Sequence, residues 1–324
     1  MTESVTDKPI IKRVSERFAG QRLDAALASM FPDYSRSRLQ RWIRDGRILL
    51  DGEPAKPRTR LVGDELLELT IRSESPPDEY KAQAISLNIV FEDESIIVLD
   101  KAAGLVVHPA VGHADGTLVN ALLHHDANLS QVPRAGIVHR LDKETTGLMV
   151  VARNLRAHKH LVAELQQRNI TREYQAIVQG IITAGGIVDV PIGRHSRDRV
   201  RMRVREDGKP AKTHYRVITR FRDHTLVQLQ LESGRTHQIR VHMQYIRHAI
   251  VGDPVYGGRP RIPPQANPAL IDQLRYFKRQ ALHAFRLTLL HPETGEALSW
   301  CSALPNDMKQ LLAALQLDLE KHGT

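Results

Sequence analysis

From Gln21 the apolar residues Leu23, Ala26, Leu27 and Met30 recur at three- and four-residue spacing, which predicts an amphipathic helix closed by Pro32. Ser35 is placed to cap a second helix. Its inward positions are Leu39, Trp42 and Ile43, its outward ones Arg38, Arg41 and Arg44, and Gly46 serves as its C-terminal stop. A hairpin follows, with Ile48-Leu49-Leu50 before an Asp51-Gly52 turn, and further strands are expected through Leu61-Val62 and Leu66-Leu67-Glu68-Leu69. Residues 1–17 carry no period and are expected to form a flexible tail, leaving a small domain over 18–72.

Residues 73–84, polar and with two prolines, predict a linker. A larger domain is expected over 85–324. It opens with the apolar runs Ile89-Val90-Phe91 and Ile96-Ile97-Val98-Leu99 around an acidic turn. A helix is predicted from Thr117 to about His125, a strand over Leu148 to Ala152, and a helix capped by Asn154 running to about Arg168. Strand patterns dominate from Thr171 to Val241. Helices and strand runs mix without regular βαβ alternation, so the class is α+β.

Composition adds three constraints. A single cysteine, Cys301, excludes an internal disulfide and any multi-cysteine zinc site. No stretch approaches the ~20 apolar residues that span a bilayer, and the polar N-terminus lacks a signal-peptide core, so a cytoplasmic location is expected. The charge balance, 46 − 37 = +9, favours a polyanionic partner. Its distribution says more. Arg36, Arg38, Arg41 and Arg44 crowd the second helix, and Arg197, Arg199, Arg201, Arg203 and Arg205 fall on alternate residues. In a strand that spacing lines up five guanidinium groups on one face. A solvated edge strand using charge against aggregation would look similar. Unrelieved repulsion among five arginines makes a polyanionic partner the better explanation.

The segment Gly136-Ile137-Val138-His139-Arg140-Leu141-Asp142-Lys143-Glu144-Thr145-Thr146-Gly147 carries the chemistry. Strand alternation would project Arg140 and Asp142 together, a cation and a carboxylate on one surface. An Asp before Lys-Glu-Thr-Thr-Gly also suits a turn or cap that bonds a backbone amide two residues on. The run resembles the HRLD signature of the RluA/RluD-type pseudouridine synthases, whose aspartate is catalytic; the resemblance gives that role to Asp142.

Further segments match that family. Thr171-Arg172-Glu173-Tyr174 puts Arg172 and Tyr174 on one strand face, and the resemblance stacks Tyr174 on the target base. Judged by residue type alone, Tyr174 reads as a buried strand tyrosine with a satisfied hydroxyl. Gly208 to Tyr215 reads as a structural strand entry. In Gly234-Arg235-Thr236-His237-Gln238-Ile239-Arg240-Val241-His242, the resemblance pairs the first arginine, Arg235, with Asp142. Both Arg235 and Arg240 could instead bind phosphate. A cation beside a carboxylate favours its ionised form, which attack on a sugar carbon or abstraction of a sugar proton requires. His237 and His242, five apart on an expected strand, face opposite ways and suit no shared metal.

Residues 18–72 are similar to the S4 RNA-binding domain through Arg22-Leu23-Asp24, Ser35-Arg36-Ser37-Arg38, Ile43-Arg44-Asp45-Gly46 and Val62-Gly63-Asp64. Gly104 to Pro109, the run from Asp115 to His125, and Val255 to Arg261 resemble the family branch that modifies the helix 69 stem-loop of 23S ribosomal RNA. These resemblances imply an S4-like α/β domain, a linker, and a catalytic domain whose mixed, largely antiparallel sheet is flanked by helices. They imply an isomerase that uses no cofactor or metal. Its partner would be 23S rRNA or a precursor of the large ribosomal subunit, with neither a membrane nor a protein partner, and a monomer is expected. Arg140 would fill the gap left by the extruded uridine or hold a flanking phosphate. Two alternatives share the basic surface: a synthase for another rRNA or tRNA site, and a non-catalytic assembly factor. A hydrolase would need a second facing carboxylate, and one Asp stands in the constellation.

Overall fold

The computed structural model describes residues 9–31, 34, 36–70, 80–109, 115–198 and 200–322. Pro32, Ser35 and Arg199 lie outside them, as do the side chains of Arg36, Ser37 and Arg38. The chain divides into two compact units, Met1–Pro77 and Asp78–Thr324.

The first unit contains β1 (Ile10–Arg13), α1 (Leu23–Met30), α2 (Arg36–Arg44), β2 (Ile48–Leu50), β3 (Glu53–Pro54) and β4 (Leu66–Leu69), with sheet order β1-β4-β2-β3. Leu23, Ala26, Leu27, Leu39, Trp42 and Ile43 form its core with Ile48, Leu67 and Leu69, as the two helical periods require. The expected tail is shorter than residues 1–17. Ile10 to Arg13 pair antiparallel with β4, and Val14 and Phe18 enter the core. All four side chains of β1 are exposed, so the strand is held by backbone pairing and leaves no alternation to read. Leu61 and Val62 form no strand; Leu61 is buried and Val62 projects outward.

The second unit is built on a nine-stranded sheet. Its strands are β5 (Ile89–Glu92), β6 (Ile96–Lys101), β7 (Thr146–Ala152), β8 (Thr171–Gln179), β9 (Gly186–Asp189), β12 (Lys212–Arg220), β13 (His224–Leu231), β14 (Leu282–Leu290) and β15 (Ala297–Cys301). The order is β5-β6-β7-β14-β8-β13-β12-β9, with β15 pairing β14, and every pairing is antiparallel except β7 with β14. At that parallel contact Gly147 admits no side chain, since a Cβ would stand 2.3 Å from the Ala284 carbonyl oxygen. A separate ribbon pairs β10 (Ile192–Arg194) with β11 (Met202–Val204).

Period-two alternation sorts the sheet into two faces. Ile97, Leu99, Met149 and Val151 face one core, covered by α3 (Leu118–His125), α5 (Gln238–Tyr245), α6 (Pro268–Tyr276) and α7 (Asn306–His322). Ile96, Val98, Leu148 and Val150 face the other, under α4 (Leu155–Gln167). Both faces are covered, which is why β6 and β7 read as unbroken apolar runs. The expected linker ran to Ala84, yet Lys81 and Gln83 are tied to α3. The Asn120 amide donates to the Lys81 carbonyl at 2.7 Å, and the Gln83 amide donates to the Asn120 carbonyl at 3.0 Å.

Candidate active site

The chain enters the site through an unusual turn. Arg134 (φ 56°), Ala135 (φ 51°) and Gly136 (φ 78°) are all left-handed. A Cβ at Gly136 would lie 1.9 Å from the Ala152 carbonyl oxygen, so glycine is required there. Residues 138–145 then form a loop rather than the strand expected from alternation, and it is fixed from three sides. His139 Nε2 accepts the Val150 amide at 3.1 Å. The buried Lys101 ammonium donates to the carbonyls of Ala102, Leu105 and Lys143 at 2.7, 3.0 and 2.8 Å. The Thr145 amide donates to the Asp142 carbonyl at 3.0 Å. Asp142 thus closes a turn with its backbone and keeps its carboxylate for another partner.

That partner is Arg240, not Arg235. Arg240 Nη1 donates to Asp142 Oδ2 at 3.0 Å. The expected pairing with Arg235 fails because its segment folds as a helix instead of a strand. Gln238 reaches back three residues, its side-chain oxygen accepting the Arg235 amide at 3.1 Å and the Ser233 hydroxyl at 2.7 Å. Its amide group donates to the Lys212 carbonyl and the Thr213 hydroxyl. Helix α5 therefore begins after His237, and Arg235 is left before it, exposed, with Nε donating to the Pro210 carbonyl at 3.2 Å. His237 and Arg240, three residues apart, share one helical face toward Asp142.

Arg240 is 5% exposed and spans two carboxylates. Its Nε and Nη2 make a bidentate pair with Asp253 at 2.7 and 2.9 Å, while Nη1 serves Asp142. Burial alone would lower its pKa, but the hydrogen bonds and charge of Asp253, with Asp142, outweigh it and push the guanidinium up. Burial would raise Asp253, yet Arg240 and the amides of Tyr256 and Val255 hold it below the usual carboxylate range.

Tyr256 joins this cluster. Its hydroxyl accepts the Met202 amide at 2.8 Å and meets His237 Nδ1 at 2.9 Å, while its ring lies 5.0 Å under the Arg240 guanidinium. The hydroxyl, which accepts from Met202, can donate its own proton to His237 Nδ1. In that tautomer the His237 proton is on Nε2, which lies 3.9 Å from Asp142 Oδ1. Burial pushes His237 below its ordinary pKa, so the ring is neutral near pH 7.

Asp142, His237 and Arg240 line a cavity of about 610 Å³ with Tyr174, Leu231 and Leu282. Six arginines (134, 140, 168, 172, 235 and 240) face two acids, Asp142 and Glu232, around it. Glu232 is already engaged by Arg168 and His214, each at 2.6 Å. Tyr174 is 5% exposed, and burial raises its phenol pKa, keeping it neutral. Arg172, on the same face of β8, is 8% exposed and has no hydrogen bond or ion pair among the described residues. Arg140 is exposed at the rim, also without such a partner.

The ladder from Arg197 to Arg205 does not form one strand. The His195 ring nitrogen accepts the amides of Arg197 and Asp198, and Asp198 accepts that of Val200, so a hairpin turn interrupts the run. Arg201 donates to the Val255 carbonyl at 2.8 Å, Arg205 pairs with Asp207, and Arg203 alone lies within β11, exposed; Arg199 is outside the described residues. In the first unit Arg36 and Arg38 fall on the backbone of α2, Arg41 is half-buried, and Arg44 is exposed with Nε bonded to the Gln40 carbonyl. Arg240, Asp253, Tyr256 and Lys101 are the site groups the sequence reading did not assign. Had the His237–Arg240 spacing been read as one helical turn, it would have pointed to Arg240. Among the described residues no group of three His, Cys, Asp or Glu is placed to hold a metal ion, and no helix is long and apolar enough to cross a membrane.

Comparison with known proteins agrees with this geometry. Residues 95–245 match the RNA pseudouridylate synthase family and residues 21–67 the S4 domain. The chain is 55% identical to ribosomal large subunit pseudouridine synthase D of Pseudomonas aeruginosa over 314 residues, 96% of this chain and 98% of that one. It is 54% identical to the protein of the same name from Escherichia coli strain K12, over 95% of each chain. In structure it resembles human RNA pseudouridylate synthase domain containing 4, with a TM-score of 0.54 and 26% identity, over 71% of this chain and 93% of that one. Asp142 lies in the matched segment with Tyr174 and Arg240, and the chain belongs to the RNA pseudouridylate synthase family.

Proposed function

We propose that this chain converts uridine to pseudouridine in large-subunit ribosomal RNA, with the helix 69 stem-loop of 23S rRNA as its target. The observation that carries the chemistry is a single carboxylate, Asp142, positioned by Arg240 in a cavity otherwise rich in arginine. The large-subunit assignment is supported by relatives of that name at 54–55% identity over nearly the whole chain.

The reaction breaks the N1–C1′ bond of uridine, turns the freed base, and joins its C5 to C1′; C5 then gives up its proton and N1 takes one up, so the product is an isomer of the substrate. Asp142 acts at the sugar, either on C1′ or at the 2′ proton. Tyr174, neutral and buried, supplies a flat apolar wall for the base while it turns. Extruding the uridine costs stacking energy, and guanidinium groups without protein partners are the natural receivers of its phosphates. Arg140 and Arg172 meet that description. Arg235, at the cavity edge, is a further phosphate contact. Arg41 and Arg44 of the first unit, and separately Arg203 of the second, add RNA contacts, and the chain works as a cytoplasmic monomer.

The test compares wild-type and Asp142→Asn protein on 23S rRNA, with pseudouridines mapped by carbodiimide-dependent reverse-transcription stops. Stops in helix 69 with wild type, lost by about 10³-fold or more in Asp142→Asn with RNA binding retained, are expected, since attack on C1′ and abstraction of the 2′ proton both require the carboxylate. Stops at another position would change the substrate. No stops from wild type on any RNA would sink the reading.

A further inference from the structure

A second cavity, of about 340 Å³, lies between the start of β13, the 251–261 loop and the end of α6, lined by His224, Arg261, Arg275 and Lys278 among others. His224 has no exposed surface, and neither ring nitrogen has a hydrogen-bond partner. A buried imidazole with both nitrogens unpaired carries the desolvation penalty of each, which a hydrogen-bonding ligand in the cavity would relieve. Arg261, Arg275 and Lys278 are exposed and make no ion pair or hydrogen bond among the described residues. The acid in the lining, Asp253, is saturated by Arg240 and the amides of Val255 and Tyr256. Three unanswered cations around a buried, unsatisfied imidazole form a receptor for an anion.

We infer that this cavity binds a phosphate group, with one His224 N–H and the charges of Arg261, Arg275 and Lys278 as its ligands. Burial, with the charge of Arg261, pushes His224 down to about 4, so the empty site holds a neutral ring with one N–H to donate. A backbone phosphate of the bound RNA is one source, which rests on the function proposed above; a free phosphate-bearing small molecule is the other. The 251–261 segment that carries Arg261 also carries Asp253, so the loop supporting Arg240 and the loop holding the phosphate are the same.

The full-length ¹⁵N-labelled protein is followed by long-range ¹H–¹⁵N spectra of its histidine rings, titrated separately with inorganic phosphate and with a helix 69 stem-loop RNA. A shift of the His224 ring on adding RNA is expected. In Arg275→Gln/Lys278→Gln the slope of log Kd against log salt should then fall by about 0.7–0.9, as one phosphate contact is lost, with turnover at saturating RNA unchanged. A shift with inorganic phosphate alone supports the site and makes a small molecule its occupant. No shift with either probe, together with an unchanged salt slope, overturns the inference. Loss of the wild type's pseudouridine stops would defeat the function reading while leaving the phosphate titration interpretable.

Discussion

Arginine is used in opposite ways at the floor of the catalytic cavity and in the ribbon of β10 and β11, whose second strand packs against α5. On the floor Arg240 is nearly inaccessible and answers two carboxylates from two distant segments, with Asp253 itself held by two amides. In the ribbon the guanidinium groups reach solvent: Arg205, half-buried, bonds Asp207 and the Arg194 carbonyl, and Arg201, exposed, bonds the Val255 carbonyl. A charge withdrawn from water is affordable only when its counter-charges are built in, so the floor is fixed in geometry and sign. Exposed pairs contribute little to stability and leave their charge available to RNA. Position along the sequence does not predict which use an arginine serves. Arg235 and Arg240, in one short string, fall on opposite sides of the distinction.

The sharpest way to break the comparison is Arg240→Met. It keeps most of the packing volume while leaving the buried Asp253 and the half-buried Asp142 without their cation. Breaking a buried pair from one side costs about 3–5 kcal/mol, and turnover should be lost with it. Calorimetry of the larger unit's transition measures the first effect and rRNA modification the second. A loss under about 1 kcal/mol would mean that the floor is no more committed than the ribbon.

What was legible in the sequence divides along the same line. Periodicity placed α3, α4 and the two small-unit helices, because each buries a regular stripe, and unbroken apolar runs placed β6 and β7, which are buried on both faces. Asp142 and Tyr174 were found from motif resemblance, and both line the cavity. Arg240 was not singled out as the partner of Asp142, because Gln238 caps a helix whose apolar residues also suit a strand. Local periodicity cannot see a side chain folded back on its own backbone. Asp253 and Tyr256 were legible only as loop residues; their roles come from contacts 13 and 19 residues away. The strand β1 was missed because both its faces are exposed. The alternate arginines of the ribbon mimicked a strand across what is a hairpin turn.

Tyr256 is where the two regions meet, and Tyr256→Phe tests whether they are independent. Its hydroxyl takes the β11 amide of Met202 and orients His237 on the floor. Removing it unpairs a backbone N–H and releases the tautomer of His237, at a cost of about 1–3 kcal/mol. Turnover should fall more than RNA affinity, because the phenylalanine leaves every arginine in place. An unchanged melting temperature with wild-type turnover would show that the ribbon merely rests against the floor.

The smallest effect on stability belongs to Arg203→Gln. Arg203 is exposed on β11 opposite Gly193 and makes no ion pair among the described residues. Surface changes of this kind fall within about 0.5 kcal/mol, so melting should not move. Binding is a different matter. If the ribbon faces the RNA backbone, losing one phosphate contact reduces the slope of log Kd against log salt by about 0.7–0.9 and weakens binding evenly across RNA sequences. Anisotropy titrations at several salt concentrations would read that slope. An unchanged slope with unchanged stability would leave Arg203 without a role in either region. A lost slope with unchanged melting would establish that the ribbon spends its charge on the partner, while the floor spends Arg240 on the fold.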